Sequence, residues 1–90
     1  MKEFKWNKMK NNKLRIERGI SFEDVVIALN EGKLLDIVDH TNKQRYPNQK
    51  IMILDINNYA YLVPFVEGKN DVFLKTIIPS RKATKQYLSK

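Results

Sequence analysis

The sequence contains no cysteine and a single histidine among its 90 residues. The absence of cysteine excludes disulfide bridges and thiolate metal sites. One histidine and scattered carboxylates form too small a ligand set for a metal site, so we expect neither a metal nor another cofactor. The three glycines lie at predicted turns or helix ends, which excludes a glycine-rich phosphate loop.

Long hydrophobic runs are also absent. No apolar stretch approaches the roughly 20 residues that a membrane-spanning helix requires. The segment 1–6 lacks the apolar centre of a signal peptide. With 42% hydrophobic and 30% charged residues, the composition is typical of a water-soluble globular chain. We therefore expect one cytoplasmic domain over residues 1–90 that does not bind membranes.

Positive charge is in excess and is concentrated at the two ends of the chain. Seventeen Lys and Arg face ten Asp and Glu. Residues 1–18 carry seven basic and two acidic side chains, residues 80–90 carry four basic and no acidic ones, and residues 19–79 carry six basic against eight acidic ones. Cationic segments that flank a slightly acidic middle indicate a positive surface for a polyanion, and we favour RNA. This interpretation requires that both ends fold onto one surface.

Capping residues predict three helices. Asn7 can cap a first helix that continues to about Arg18 and ends at Gly19. Ser21, with Asp24 three positions later, resembles a capping box for a second helix, which ends at 31–32. A short basic third helix follows from Ser80 as its cap and covers 81–88. In the first helix the apolar stripe is thin, and its members are Trp6, Met9 and Ile16, opposite Lys8, Asn11, Asn12 and Arg15.

Between the second and third helices the hydrophobic period changes to two. This period predicts strands over 34–40, 51–56, 59–66 and 72–78. Asn57-Asn58 can adopt the positive φ of a two-residue turn, so we expect a hairpin there. Pro64 indicates an edge strand or a bulge. The predicted fold is α+β, with two N-terminal helices, a four-stranded antiparallel sheet and a short C-terminal helix.

The junction between the last strand and the last helix gathers three cations. The strand brings Lys75 to the sheet surface, on the face of Phe73 and Ile77, and the helix begins with Arg81 and Lys82. A helix N-terminus adds unpaired N–H groups and the positive end of a dipole, so this junction can bind a phosphate. The alternative is a solvated terminal helix whose cations only keep the chain soluble.

Four segments, taken in order, carry a family resemblance: Phe4-Lys-Trp-Asn7 with Lys10, Gly19-Ile-Ser-Phe-Glu-Asp24, Asp39-His40, and Ile77-Ile-Pro-Ser-Arg-Lys-Ala-Thr84. Together they resemble the BrnT family of bacterial type II toxins across nearly the whole chain. The resemblance implies a RelE-like domain, an RNA-cleaving activity that arrests translation, and neutralisation by a DNA-binding antitoxin of the ribbon-helix-helix kind.

The chain also departs from the family pattern, so the resemblance is to a divergent member. Leu14, Glu17 and Arg18 stand where family members commonly have an Asn and then a Lys-His pair. Gln49-Lys50 replaces a Glu-Arg pair, and 79–81 replaces Ser-Ala-Arg.

RNA cleavage without a metal requires few groups. The 2′-hydroxyl must lose a proton and attack the adjacent phosphate, while cations stabilise the phosphorane and an acid protonates the departing 5′-oxygen. His40 is the candidate base or acid, because only its unperturbed pKa, about 6.5, lies near working pH. Arg81 and Lys75 would stabilise the transition state, and Tyr87 would donate a proton or stack on a base. A lone His40 at a strand end can equally be ordinary structure, and Tyr87 a core anchor.

RNA binding would extend beyond these groups. Tyr46, in a polar loop, can stack on a base, and if five phosphates were neutralised the logarithmic salt slope would be roughly −3 to −4. The expected partners are RNA and the antitoxin, in a homodimer or a hetero-oligomer. Two alternatives remain: a non-catalytic RNA- or ribosome-binding module, and a structural protein whose basic ends dock an acidic partner. The candidate phosphate contacts are Lys10, Arg15, Arg45, Lys50, Lys82 and Lys85.

Overall fold

The computed structural model describes residues 2–89. In this part of the chain no helix is both long and apolar enough to cross a membrane. The elements, in chain order, are β1 (Glu3–Trp6), α1 (Lys8–Arg18), α2 (Phe22–Asn30), β2 (Leu34–Asp39), β3 (Gln49–Ile56), β4 (Tyr59–Glu67), β5 (Asp71–Leu74), β6 (Ile78–Pro79) and α3 (Arg81–Leu88).

The helix ends follow from local hydrogen bonding, and the predicted bounds are confirmed. The Asn7 side chain accepts from the Lys10 N–H at the start of α1, and Gly19 ends this helix with φ of 66°. Ser21 and Asp24 form both hydrogen bonds of a capping box at α2. The Ser80 side chain accepts from the Ala83 N–H at the start of α3.

The sheet prediction is wrong. The sheet has six strands in the order β1-β5-β4-β3-β2, with β6 paired to β4, and β1 runs parallel to β5. The other pairs are antiparallel. β1 was missed because four residues with Phe4 and Trp6 on one side give only a weak period-two signal. Its partner β5 lies far along the chain, so nothing local specifies the pairing.

The predicted strand over 72–78 is divided in two. β5 leaves β4 after Leu74, the Lys75 N–H donates to the Pro64 carbonyl at 2.8 Å, and β6 rejoins β4 at Ile78. In the β3–β4 register, the backbone carbonyl of Pro64 points away from β3 and towards the break between β5 and β6. Because proline has no N–H, the ladder cannot continue past it. The prediction of an edge strand or a bulge at Pro64 is wrong, because β4 is a central strand and its pairing with β3 continues through Pro64 without a register shift.

The hairpin between β3 and β4 is also confirmed. Asn57 and Asn58 have φ of 56° and 65°, as a two-residue turn of this kind requires. The Asn58 N–H donates to the Asp55 side chain at 2.9 Å. This turn fixes the β3–β4 register, and therefore which side chains of both strands share a face.

The two faces of the sheet bury different helices. Alternate strand residues such as Leu54, Val63 and Leu74 pack with Phe22 and Val25 under α1 and α2, and we call this side the α1–α2 face. The intervening strand residues form a smaller cluster with α3, and we call that side the α3 face; its members are Ile53, Ala60 and Ala83, with Leu35, Leu62, Tyr87 and Leu88 packed against them.

α1 is oriented by one polar side chain rather than by its apolar stripe. Asn11 is buried, accepts from the Phe22 N–H at 2.7 Å, and donates to Glu23 at 2.7 Å. Leu14 is buried beside it. Met9 and Ile16 consequently face solvent, with exposed fractions of 81% and 84%.

Candidate nucleic-acid interface

The basic helices α1 and α3 do not meet. α1 packs on one face of the sheet through Leu14, whereas α3 packs on the other through Ala83 and Tyr87. The expectation that both ends fold onto one cationic surface is therefore wrong for the cations of α1, although Lys5 of β1 lies on the α3 face. It failed because charge carries no information about which side of a sheet a helix covers. The candidate interface must be built from the α3 face alone.

α3 covers only part of its face, and the remainder is open sheet. Cross-strand register aligns Lys5 with Phe73, Phe73 with Val66, and Val66 with Gln49. The His40 N–H continues this row by donating to the Gln49 carbonyl at 3.2 Å. Val38 lies on the α3 face, where it lines a groove beside α3. His40 follows Val38 by two residues, so the alternation of side chains along the strand places His40 on the α3 face as well. We call the row from Lys5 to His40, together with Lys75, the platform.

An aromatic side chain and a cation lie at the β5 end of the platform. Phe73 is 36% exposed, whereas its neighbours on β5, Val72 and Leu74, are buried. The Lys75 Nζ lies 5.4 Å from the centroid of the Phe73 ring, and among residues 2–89 Lys75 forms no ion pair. Ile77, expected on this face, is instead fully buried on the α1–α2 face because the strand breaks at 75–77. The free ammonium and the ring are together available to a ligand.

The Ser80 backbone N–H and the Thr84 hydroxyl hold the start of α3 against β4. The Ser80 N–H donates to the Ala60 carbonyl at 3.0 Å. Thr84 Oγ1 accepts from the Ala60 N–H at 2.9 Å and donates to the Ser80 carbonyl at 2.7 Å. These bonds fix the first turn of α3, in which Arg81 and Lys82 are exposed. The two cations are therefore presented at the positive end of a helix whose position is set by hydrogen bonds.

A shallow groove of about 300 Å³ connects α3 to the far end of β2. Lys82 and Gln86 line it on the helix side, and Asp39 and Thr41, the neighbours of His40, line it at the other end. Its floor is apolar and comprises Val38, Ile51, Ile53 and Leu62. The groove thus links the first turn of α3 to the strand end that carries the only histidine.

His40 is held by local contacts. Its Nδ1 accepts from the Asn42 N–H at 3.0 Å, so the neutral ring carries its proton on Nε2. The Tyr46 ring lies 4.6 Å from the imidazole, centroid to centroid, and the Arg45 guanidinium lies 5.5 Å from the Tyr46 ring. In this arrangement His40 can donate a hydrogen bond through Nε2, whereas a base at Nδ1 would first have to release Asn42.

Tyr87 links α3 to β2 through a side-chain hydrogen bond. Its hydroxyl donates to Asp36 Oδ2 at 2.7 Å, and this hydrogen bond raises the pKa of Tyr87. The same carboxylate accepts from the Ile37 N–H at 2.8 Å through Oδ1. The Tyr87 proton is thus occupied within the protein, and its role as a catalytic acid stays a prediction.

The remaining predicted contacts are dispersed. Lys10 and Arg15 lie on α1, and Arg15 pairs with Glu23 at 3.1 Å. Lys50 is aligned with Phe65 and so belongs to the α1–α2 face, where the hydrogen bond and charge of Lys2, and to a smaller extent the charge of Lys50, lower the pKa of Glu67. Lys85 is exposed near the end of α3. Of the predicted phosphate contacts, the structure brings Lys82 and Lys85 to α3 and Arg45 beside Tyr46.

Sequence reasoning missed the residues that position the interface. Phe73 was recognised as a neighbour of Lys75, but not as an exposed ring. The sequence signal for the exposure of Phe73 was its position between Val72 and Leu74, which are buried on the other face of the sheet. Thr84 was part of the segment 77–84 but had no assigned role, because its partner Ala60 lies on a distant strand.

No family model, curated protein or solved structure matches this chain. Within residues 2–89, no group of three or more His, Asp or Glu side chains is arranged to hold a metal ion.

Proposed function

We propose that this chain is a cytoplasmic toxin of a type II toxin–antitoxin pair that cleaves cellular RNA without a metal and thereby inhibits translation. The observation that carries the proposal is the common location of His40, Lys75, Arg81 and Lys82 on the α3 face. The sequence resemblance to BrnT toxins supplies the biological setting, including an antitoxin encoded nearby.

An extended RNA strand fits the platform better than a duplex does. β2 and β5 are separated by three strand spacings of about 4.8 Å, so His40 and Lys75 lie roughly 14 Å apart across the sheet. Side chains at that separation contact different phosphates of one strand. Phe73 offers a ring on which an unpaired base stacks, beside the Lys75 ammonium.

The residues that line the groove indicate which side chains act at the scissile phosphate and which bind neighbouring phosphates. Lys82 shares the groove with the neighbours of His40, so His40 and Lys82 act at the scissile phosphate. His40 acts as the imidazolium, which passes its Nε2 proton to the departing 5′-oxygen and is left as the neutral ring, while Lys82 stabilises the phosphorane; forming the imidazolium requires that Nδ1 release the Asn42 N–H. Arg81 and Lys75 hold the neighbouring phosphates, with the Arg81 fork suited to bidentate contact. The 2′-hydroxyl proton passes to solvent water as its oxygen attacks the phosphate, and water returns a proton to His40 after the step.

A specific observation favours a second candidate, a non-catalytic RNA-binding module. The lone pair on His40 Nδ1 is engaged by the Asn42 N–H, and the Tyr87 hydroxyl is engaged by Asp36. With both groups occupied, the same face would bind RNA without cleaving it.

Inducible expression tests the proposal. Growth and RNA integrity are followed for the wild type, His40→Ala, Lys82→Ala and Arg81→Ala, with and without the product of the adjacent reading frame. We expect growth arrest and RNA fragmentation in the wild type, relief by the neighbour, and loss of fragmentation in His40→Ala. Lys69→Ala, which removes an exposed cation from the β4–β5 turn, should behave as the wild type.

The outcomes separate the candidates. Intact RNA and normal growth with the wild type would remove the nuclease. If the purified wild type binds single-stranded RNA without cleaving it, and Arg81→Ala weakens that binding, the second candidate replaces the first.

A further inference from the structure

The outer side of α1 combines exposed aliphatic side chains with positive charge. Met9 and Ile16 are seven residues apart, which places them two turns apart on one side of the helix. They are the most exposed of the large hydrophobic side chains in residues 2–89. Lys13 and Asn12 lie between them and, with Glu17, border a shallow depression. We call Met9, Asn12, Lys13 and Ile16 the α1 stripe.

The fold does not need the α1 stripe. The buried side of α1 is formed by Asn11 and Leu14, and Asn11 satisfies the Phe22 N–H at the start of α2. Nothing in the core contacts require aliphatic residues at 9 and 16. Large apolar side chains on the polar side of a short helix are a local inconsistency, and such inconsistencies are concentrated at functional surfaces.

The charges beside the stripe are those that an acidic ligand would complement. α1 has no acidic residue in its first turn, where the helix dipole favours one, and it has Lys8 and Lys10 instead. Arg15 is neutralised by Glu23, and Arg18 donates to the Ile77 carbonyl. Lys8, Lys10 and Lys13 therefore remain around Met9, and Glu17 is the one acidic residue of α1.

These features together select the class of ligand. A second copy of this chain would bring Lys8 and Lys13 against their own equivalents in a symmetric contact, which like-charge repulsion opposes. An anionic membrane requires a wider apolar face than two side chains provide. RNA uses aromatic or planar side chains for stacking, and the α1 stripe has none.

We propose that the α1 stripe docks an acidic amphipathic helix of a protein partner. Aliphatic side chains of that helix, spaced three or four residues apart, pack against Met9 and Ile16, and its flanking carboxylates pair with Lys8, Lys10 and Lys13. The surface lies on the opposite side of the sheet from the RNA platform, so the proposal stands independently of the proposed function.

A labelled synthetic peptide tests the proposal with the whole protein. The peptide is helical and acidic, with leucines at helical spacing and glutamates on both flanks, and its binding is measured by fluorescence anisotropy. We expect Met9→Ser and Ile16→Ser each to weaken binding by about tenfold, since each removes an anchor from the centre of the contact. Lys13→Glu should weaken binding further. Circular dichroism should show unchanged folding, because these side chains face solvent.

Two controls make the result specific to the stripe. Ile27→Ser removes another exposed aliphatic residue, on α2, and should leave peptide binding unchanged. A peptide of the same composition but scrambled order should bind at least about tenfold more weakly, because it has no apolar side. Equal binding of the two peptides, or of wild type and the Met9→Ser/Ile16→Ser double variant, would overturn the proposal.

Two further measurements test the other occupants. If the double variant loses binding to phosphatidylserine vesicles while the peptide never binds, the surface belongs to a membrane and the proposal is overturned. If sedimentation shows a wild-type dimer that the double variant dissociates, the occupant is a second copy and the proposal is again overturned. The proposal is supported if the protein is a monomer that binds the acidic peptide and does not bind the vesicles.

Discussion

The first and last helices are both basic, yet their cations have different neighbours. Around α1 the lysines surround Met9 and Ile16, which project from a convex helix. On the α3 face, Lys75 and Lys82 adjoin an exposed ring and a shallow groove over flat sheet. The comparison shows that charge alone does not identify a ligand. Aliphatic projections suit the side chains of another protein, whereas a ring on an open sheet suits a base.

The two helices are also anchored in a similar way. Asn11 of α1 completes the hydrogen bonding at the start of α2, and Thr84 of α3 completes that of Ala60 on β4. In each case one polar side chain adds to the apolar packing of the helix and helps to set where its cations point. Each anchor can therefore be removed by itself to test its side of the molecule.

The largest effect should come from removing three cations from one surface at a time. We expect Lys75→Ala/Arg81→Ala/Lys82→Ala to bind single-stranded RNA with a logarithmic salt slope about two less steep, because each lost phosphate contact removes about 0.7. Lys8→Ala/Lys10→Ala/Lys13→Ala loses the same charge from α1 and should keep the wild-type slope. Anisotropy titrations over a range of KCl concentrations measure both. An equal decrease in the two variants would show that RNA does not distinguish the surfaces.

Removal of the α1 anchor should affect stability. Asn11→Ala leaves the buried Phe22 N–H without an acceptor, so we expect the free energy of unfolding to decrease by about 2 kcal/mol in urea titrations. Asn12→Ala, at the neighbouring exposed position, should change it by less than about 0.5 kcal/mol. RNA binding by folded Asn11→Ala should equal that of the wild type, since α1 lies on the other face. A stable Asn11→Ala would mean that the capping bond is dispensable.

Removal of the α3 anchor should combine a smaller loss of stability with a loss of function. Thr84→Val keeps the shape but leaves the Ala60 N–H unpaired, so the free energy of unfolding should decrease by about 1 kcal/mol. Because the first turn of α3 then loosens, RNA binding should weaken as well. Thr84→Ser retains the hydroxyl and should restore both properties. If Thr84→Val lowers the free energy of unfolding but leaves RNA binding unchanged, Thr84 does not position the RNA-binding residues.

The smallest effects on stability should appear at the extremes of pH. They should differ between Glu23, beside α1, and Tyr87, on α3. The hydrogen bond from Asn11 lowers the pKa of Glu23 below 4.5, so its contribution to stability is present above that pH and is lost as pH falls. The hydrogen bond to Asp36 raises the pKa of Tyr87 above 10.0, so its contribution is present below that pH and is lost as pH rises. Thermal melts should show a reduced acid dependence in Glu23→Gln and a reduced alkaline dependence in Tyr87→Phe. Melting curves that keep the wild-type pH dependence in either variant would contradict the corresponding assignment.

The candidate site was predictable in part. The concentration of cations at 75–82 was visible because Lys75, Arg81 and Lys82 are close in sequence. His40 was identified by elimination, as the only histidine. Its distance from Lys75 was not predictable, since that distance depends on the strand order β5-β4-β3-β2. Nor could the sequence show that Arg15 is paired with Glu23 while Lys75 is free of ion pairs within residues 2–89.

The sequence by itself determined the features that depend on neighbouring residues. Asn7, Ser21 and Ser80 start the three helices, and the Asn57-Asn58 pair turns the hairpin, because caps and tight turns are satisfied within a few residues. Only the tertiary structure decided that β1 lies parallel to β5, that α1 turns Met9 and Ile16 outward, and that the two basic helices α1 and α3 occupy opposite faces. Those outcomes rest on hydrogen bonds and packing between residues far apart in the chain, such as Arg18 with Ile77 and Ala60 with Thr84, which no local pattern encodes.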